Sequence, residues 1–197
     1  MADIPGSLTA TAEIPFWVTL GVWGIGERVL TFRDFRSGAW KGKQDAGSYF
    51  WVVAAVTGGF ATAITLAAVH AFTLPVPAVW LGSGLVVAWA GMLLRLWAVL
   101  SLGRFFTTRV QVLADQRVVT SGPYRLVRHP SYLGLLILFF GLGLALGDLA
   151  SAVVMIVLPA VGLVKRIAVE EAALRGGLGD SYIEYCGGRS RLIPGIW

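Results

Sequence analysis

Five apolar runs, parted by connections that alternate between basic and free of Lys and Arg, constrain this chain more than any other feature. A helix needs about 20 apolar residues to cross the hydrocarbon core of a bilayer. The runs fall at 10–30, 48–70, 77–102, 131–147 and 150–164. The first is the weakest, because its apolar centre at 14–25 is short and Glu13 and Glu27 lie near its ends. The second has no charged residue inside it. Arg95 lies within the third, where a cation either faces a partner or water or snorkels to the interface. Only Asp148 and Leu149 separate the last two runs, so they form a tight antiparallel hairpin, each member near the lower length limit for a span. Gly143 and Gly147, four apart, permit close helix packing in that hairpin. Pro159 is expected to kink the fifth helix.

The basic residues set an orientation. The first connection carries Arg28, Arg33, Arg36, Lys41 and Lys43, and the third carries Arg104, Arg109, Arg117, Arg125 and Arg128. The C-terminal segment carries Lys165, Arg166, Arg175, Arg189 and Arg191. The segment before the first helix and the second and fourth connections carry none, and Arg95 completes the sixteen. This alternation predicts an all-α, multi-pass integral membrane protein of five transmembrane helices, N-terminus outside and C-terminus cytoplasmic. The 197 residues make one membrane domain: helices one to three over 1–102, a cytoplasmic loop over 103–130, a hairpin over 131–164 and a cytoplasmic segment over 165–197.

Composition agrees. The chain is 56% hydrophobic and 14% charged, against roughly 25% charged in soluble domains. Its formal charge of +5 is confined to loops on one side, which argues against a nucleic-acid partner and for anionic lipid. The single Cys186 excludes an intramolecular disulfide and a Cys-rich metal site. No Lys or Arg precedes Arg28, so the basic region of a secretory signal is lacking.

Chemistry concentrates in two segments that this topology places on one side of the membrane. The first is Ser121-Gly-Pro-Tyr-Arg-Leu-Val-Arg-His-Pro-Ser-Tyr-Leu-Gly134. Gly122-Pro123 marks a turn, and Pro130 sits where a helix starts and holds His129 out of helical geometry. Tyr124, Arg125, Arg128, His129 and Tyr132 thus crowd the mouth of an apolar helix. Interfacial Tyr and Arg commonly flank spans, which explains Arg125 and Tyr132 but not a His between Arg128 and Pro130. The second segment continues from the fifth helix with Glu170 and Glu171, whose side chains point about 100° apart on a helix. One can turn inward and the other to water or to Arg175, four residues after Glu171. Gly176-Gly177 and Gly179 are expected to interrupt this helix, and a short helix is expected over 180–185. The stretch 110–119 has some β-like character without amounting to a strand. The two histidines, His70 and His129, fall on opposite sides, so no zinc or iron set forms. No Rossmann glycine pattern follows a strand.

The order of these pieces resembles the isoprenylcysteine carboxyl methyltransferase family and the wider group that includes phospholipid N-methyltransferases. The pieces are Gly122 to Gly134 as quoted, a helical hairpin, Glu170-Glu171, Tyr182-x-x-Tyr185 and Ile193-Pro194. The resemblance covers about 90–197 and leaves the first two helices without a motif. It implies a membrane methyltransferase using S-adenosylmethionine and releasing S-adenosylhomocysteine. The cofactor pocket it implies is cytoplasmic, built from the loop before helix four, the hairpin and the C-terminal segment. Carried over residue by residue, it includes Pro123, Tyr124, His129, Tyr132, Leu133 and Glu170, with Arg128 supporting the loop. A carboxylate can hold the cofactor's ammonium, His129 or an Arg its carboxylate, and aromatic rings its sulfonium. On the reacting side the resemblance implies Glu171, Arg189 and Arg191, with Arg191 the better candidate to hold an acceptor carboxylate. The chain departs from the family at Cys186-Gly-Gly188, where members often carry basic residues. The acceptor implied is a lipid or another lipophilic small molecule reached from the bilayer, methylated on a carboxylate. The alternatives are a phospholipid amine N-methyltransferase and a non-catalytic helical interaction protein.

Overall fold

A computed structural model describes residues 13–38 and 43–197. Among these residues there are six α-helices: α1 Ile14–Arg36, α2 Ser48–Ala68, α3 Pro77–Leu102, α4 Pro130–Ala145, α5 Leu149–Leu178 and α6 Asp180–Gly187. No strand forms among the described residues. The stretch 110–119 is irregular, and the β pairings among the described residues are isolated bridges, Thr73 with Asp148 and Val127 with Ser190.

Proline sets the starts of α1, α3 and α4, at positions where its missing N–H costs nothing. Asp148 caps α5, its carboxylate accepting from Ser151 N–H at 2.8 Å. Among the described residues three helices, α2, α3 and α5, are long and apolar enough to cross a membrane. The expected count of five meets two exceptions. α4 has 16 residues, which reach about 24 Å, and α1 carries Glu27, Arg28, Arg33 and Asp34 within its length. Large apolar side chains such as Phe50, Trp51, Ile64, Val86, Leu93, Leu100, Val157 and Val161 face outward. A bilayer, rather than water, is the solvent that tolerates so much exposed apolar surface.

The core is not centred on the α4–α5 hairpin alone. α4 is sandwiched, and its closest partner is α3, which runs antiparallel to it. Gly84 and Gly91 on α3 meet Gly141 and Gly134 on α4. A Cβ added at Gly91 would lie 2.4 Å from Leu138 N, and one at Gly141 2.4 Å from Ala88 N. The helices touch backbone to backbone because seven-residue spacing puts both glycines of each helix on one stripe. Gly143 does pack against Ala152, as the sequence suggests, whereas Gly147 has φ +69° and makes the turn instead. α2 lies on α5: Ser151 Oγ donates to Ala63 C=O at 2.8 Å, and Gly59 receives Pro159. α5 runs unbroken through Pro159 and through Gly176-Gly177 to Leu178, further than the glycines suggest. Gly177 is small because Val112 packs over it.

Phe72 N–H donates to Asp148, and Leu74 N–H to Gly147 C=O, so the two connections without Lys or Arg meet at one end. The three basic segments meet at the other, as described next.

Candidate functional site

Loop 103–129 is held in place by carboxylates from earlier in the chain. Asp34, at the end of α1, accepts from the N–H and Oγ1 of Thr108. Asp45 accepts from Val110 N–H and Tyr49 N–H, both at 3.1 Å, and pairs with Arg166 of α5. Burial pushes the Asp45 carboxyl up. The two backbone donors and the Arg166 guanidinium outweigh that and hold it below its ordinary value. Arg166 also donates to Ser48 Oγ, to Thr108 C=O and to Tyr132 Oη. At the loop's far end, Arg128 N–H and His129 N–H donate to the carbonyls of Ser190 and Arg191, both at 2.9 Å. The motif loop and the tail are therefore joined by main chain.

Glu170 and Glu171 part as their spacing requires, in roles that only the fold distinguishes. Glu171, 1% exposed, is a buried hub. It pairs with Arg128 at 2.7 Å, Arg175 at 2.9 Å and Arg191 at 3.2 Å, and His129 Nε2 lies 3.4 Å away. Glu170 keeps 29% of its side chain exposed and accepts one hydrogen bond, from Tyr132 Oη at 2.6 Å. His129 Nδ1 is 3.9 Å from Glu170, and its ring stacks on Tyr132 with centroids 5.6 Å apart.

Arg128, His129, Tyr132 and Glu170 form one wall of a cavity of about 300 Å³, the low end of small-molecule sites. Of the residues expected at a cofactor, Tyr124, Arg128, His129, Tyr132 and Glu170 line it. Pro123 and Leu133 stand behind the lining, Pro123 fully buried at the loop turn and Leu133 against the cluster of Leu163 and Ile167. Glu171, Arg189 and Arg191 are not part of the lining either. Arg189 lies over the Tyr185 ring at 4.7 Å, and Arg191 over Trp197 at 5.2 Å in addition to its bond with Glu171. The wall also contains residues that the sequence pattern did not assign: Glu27, Arg95, Arg166, Tyr182 and Tyr185. The tyrosines had a signal in their motif spacing. Glu27 and Arg95 had none beyond being charges in apolar helices.

The cavity has two characters. Trp23, Val52, Val56, Leu135 and Phe139 supply apolar surface, while Arg166, Glu170, His129 and Gln111 supply polar atoms. Gln111 Nε2 and Arg128 Nε are buried donors without an acceptor among the described residues, a condition that native interiors seldom leave unanswered. The phenols are neutral. Burial, then the Glu170 carboxylate, push Tyr124 well above the ordinary tyrosine value, and burial pushes Tyr185 up to about 12. Tyr185 Oη donates to Tyr124 C=O at 2.9 Å, locking α6 to the loop.

Residues 84–176 match the model of the isoprenylcysteine carboxyl methyltransferase (ICMT) family. Protein-S-isoprenylcysteine O-methyltransferase A of Arabidopsis thaliana is 34% identical over 113 residues, 56% of this chain and 57% of that protein. A probable protein-S-isoprenylcysteine O-methyltransferase of Oryza sativa subsp. japonica is 38% identical over 104 residues, 52% and 54% of the two chains. The Schizosaccharomyces pombe protein-S-isoprenylcysteine O-methyltransferase is 34% identical over 111 residues, 54% and 44%. The chain thus spans about half the length of these curated relatives. The family resemblance read from the motifs stands. The match takes in α4, most of α3 and α5 and the loop between them, and leaves out α1, α2 and α6.

Proposed function

We propose, from the premise that residues 84–176 carry the ICMT family pattern, that this protein is an S-adenosylmethionine-dependent membrane methyltransferase acting on a lipophilic carboxylate. The observation that carries the reading is Glu170: a carboxylate facing a cavity that is polar at one end and apolar at the other, oriented by one phenol. The residues present fit the cofactor. Glu170 suits its ammonium, His129 and Arg128 its carboxylate, and the faces of Tyr124 and Tyr132 its sulfonium. Bound there, S-adenosylmethionine would supply an electrophilic methyl group on a positively charged sulfur.

The protein's part is alignment and exclusion of water. An acceptor carboxylate is already an anion, so no general base is needed, in keeping with phenols that burial holds neutral. Glu171 positions rather than reacts in this reading: it ties Arg128, His129 and the tail into one wall. Arg191 and Arg189 brace the tail. The acceptor's chain would enter between α1 and α2 along Trp23, Val52 and Val56. We place the motif loop and C-terminus in the cytoplasm, where the Lys/Arg alternation puts them, with five passes if α1 and α4 both cross. The relatives' names point to S-isoprenylcysteine as the acceptor class to try first.

Calorimetry on purified protein tests the cofactor half: S-adenosylhomocysteine should bind with micromolar affinity, about −8 kcal/mol. Folded protein giving neither heat nor a thermal shift would leave the non-catalytic reading. Radiolabelled methyl transfer into lipid tests the rest. A base-labile product supports the ester, and a base-stable product supports a phospholipid amine acceptor, whose amine must first lose a proton.

A further inference from the structure

Resting on that reading, we propose that Arg95 anchors the acceptor's carboxylate and that Glu27 is its exchangeable stand-in. Two buried arginines, Arg166 and Arg95, and the largely covered Arg128, 12% exposed, line the cavity. Each holds a carboxylate, but the carboxylates differ. Asp45 on Arg166 and Glu171 on Arg128 are sealed, with side chains 3% and 1% exposed. Neither can leave its arginine for water. Glu27 on Arg95 is 28% exposed. It comes from α1, along which only Phe16, Thr19 and Asp34 are buried. Of the three, Glu27 alone is partly exposed and so free to turn away from its arginine.

The geometry of the pair is that of a carboxylate receptor. Glu27 accepts from Arg95 Nε at 2.6 Å and from Nη2 at 2.8 Å, the bidentate edge of the guanidinium. The remaining nitrogen, Nη1, donates to Ser131 Oγ at 2.6 Å, and the guanidinium carbon lies 5.7 Å from the Phe106 ring centroid. Arg95 is thus pinned independently of Glu27 and stays in place when Glu27 moves. Ser131 precedes Tyr132, the residue that orients Glu170, so Arg95 stands where the apolar and polar parts of the cavity join.

Charge balance decides how an acceptor enters. An anion arriving beside the intact Arg95–Glu27 pair would be buried without a partner. An anion that replaces Glu27, while Glu27 swings to water, leaves the buried charge unchanged. Transfer then reverses the preference. The carboxylate oxygen forms a new C–O bond as the donor's S–CH₃ bond breaks, its electron pair staying on sulfur; no proton moves. The ester carries no charge for Arg95, so Glu27 returns to the arginine and the product is released.

The test uses full-length protein in detergent, with N-acetyl-S-farnesylcysteine and its methyl ester as probes, and S-adenosylhomocysteine binding measured alongside. Glu27→Gln should lower the carboxylate probe's Kd and KM by roughly tenfold, because a charged competitor is gone. Arg95→Gln should raise them more than tenfold, and Arg95→Lys should lie between. Homocysteine-ligand affinity should stay within about twofold in all three, and ester binding should not follow the series. If Arg95→Gln does not fold, the gain in Glu27→Gln alone carries the proposal. Opposite shifts in Glu27→Gln and Arg95→Gln are what a merely structural ion pair does not produce. The proposal is overturned if both weaken the acceptor alike, or if wild-type protein binds S-adenosylhomocysteine without preferring the acid to the ester. Absent S-adenosylhomocysteine binding would instead overturn the methyltransferase reading beneath it.

Discussion

Substituting Gln at Glu170 and at Glu171 separates a cavity-facing carboxylate from a buried one. Glu171→Gln leaves shape unchanged and removes the charge that three guanidiniums share. Their exposures divide the cost. Arg175 and Arg191, 48% and 33% exposed, rehydrate, and such pairs are worth about 0–1 kcal/mol each. Arg128 is 12% exposed and 2.7 Å from Glu171, so its loss of a partner dominates, at about 3–5 kcal/mol for a broken buried pair. Melting should fall by roughly 6–20 °C if the soluble-domain scale of about 2–4 °C per kcal/mol holds. Glu170→Gln loses one bond, from Tyr132, at a partly exposed side chain, so melting should barely move. Its S-adenosylhomocysteine affinity should instead drop about ten- to a hundredfold, the roughly 1.5–3 kcal/mol of one charge-assisted bond. Thermal unfolding in detergent and calorimetry read the two effects. Wild-type melting in Glu171→Gln, or unchanged ligand affinity in Glu170→Gln, would refute the division of roles.

Further outcomes follow from other parts of the fold. Gly91→Val should destabilise by about 1–3 kcal/mol or more, since its Cβ would lie 2.4 Å from Leu138 N; Gly82→Ala, with nothing within 4 Å, is the control that should melt like wild type. Asp45 titrates below its ordinary 3.8 in the folded state. Its stabilising contribution is therefore full above about pH 4 and lost as pH falls through the folded value. The melting difference between wild type and Asp45→Asn should be constant from about pH 7 to 5 and narrow as pH falls below the ordinary carboxylate value, and a gap that widens there would contradict this. A reporter fused after Trp197 should read as cytoplasmic, and an extracellular signal would reverse the proposed orientation.

The helical membrane class is legible in the apolar runs alone. Apolar runs of spanning length follow from the cost of burying an unpaired backbone polar group in lipid, which leaves few alternatives to helices. The turn before α4 was legible because Gly122, Pro123 and Pro130 act through local sterics, whatever surrounds them. Tyr124, Arg128, His129, Tyr132 and Glu170 were legible as a set because the motif order is specific, and the structure brings them to one cavity. The junction of motif loop and tail followed from both lying on the basic side.

Tertiary structure decided what depends on rotation and depth. Sequence spacing showed that Glu170 and Glu171 diverge, and only the packing of α5 against Arg128 and the tail made Glu171 the buried one. It also drew Arg191 to Glu171 and Trp197. The tightest helix contact went to α3 and α4, through Gly84, Gly91, Gly134 and Gly141, because a stripe of glycines has meaning only once its partner stripe is known. The Arg95–Glu27 pair joins residues 68 apart. No local rule reaches across that separation, so which charge an apolar helix hides, and against what, was left for the fold to settle.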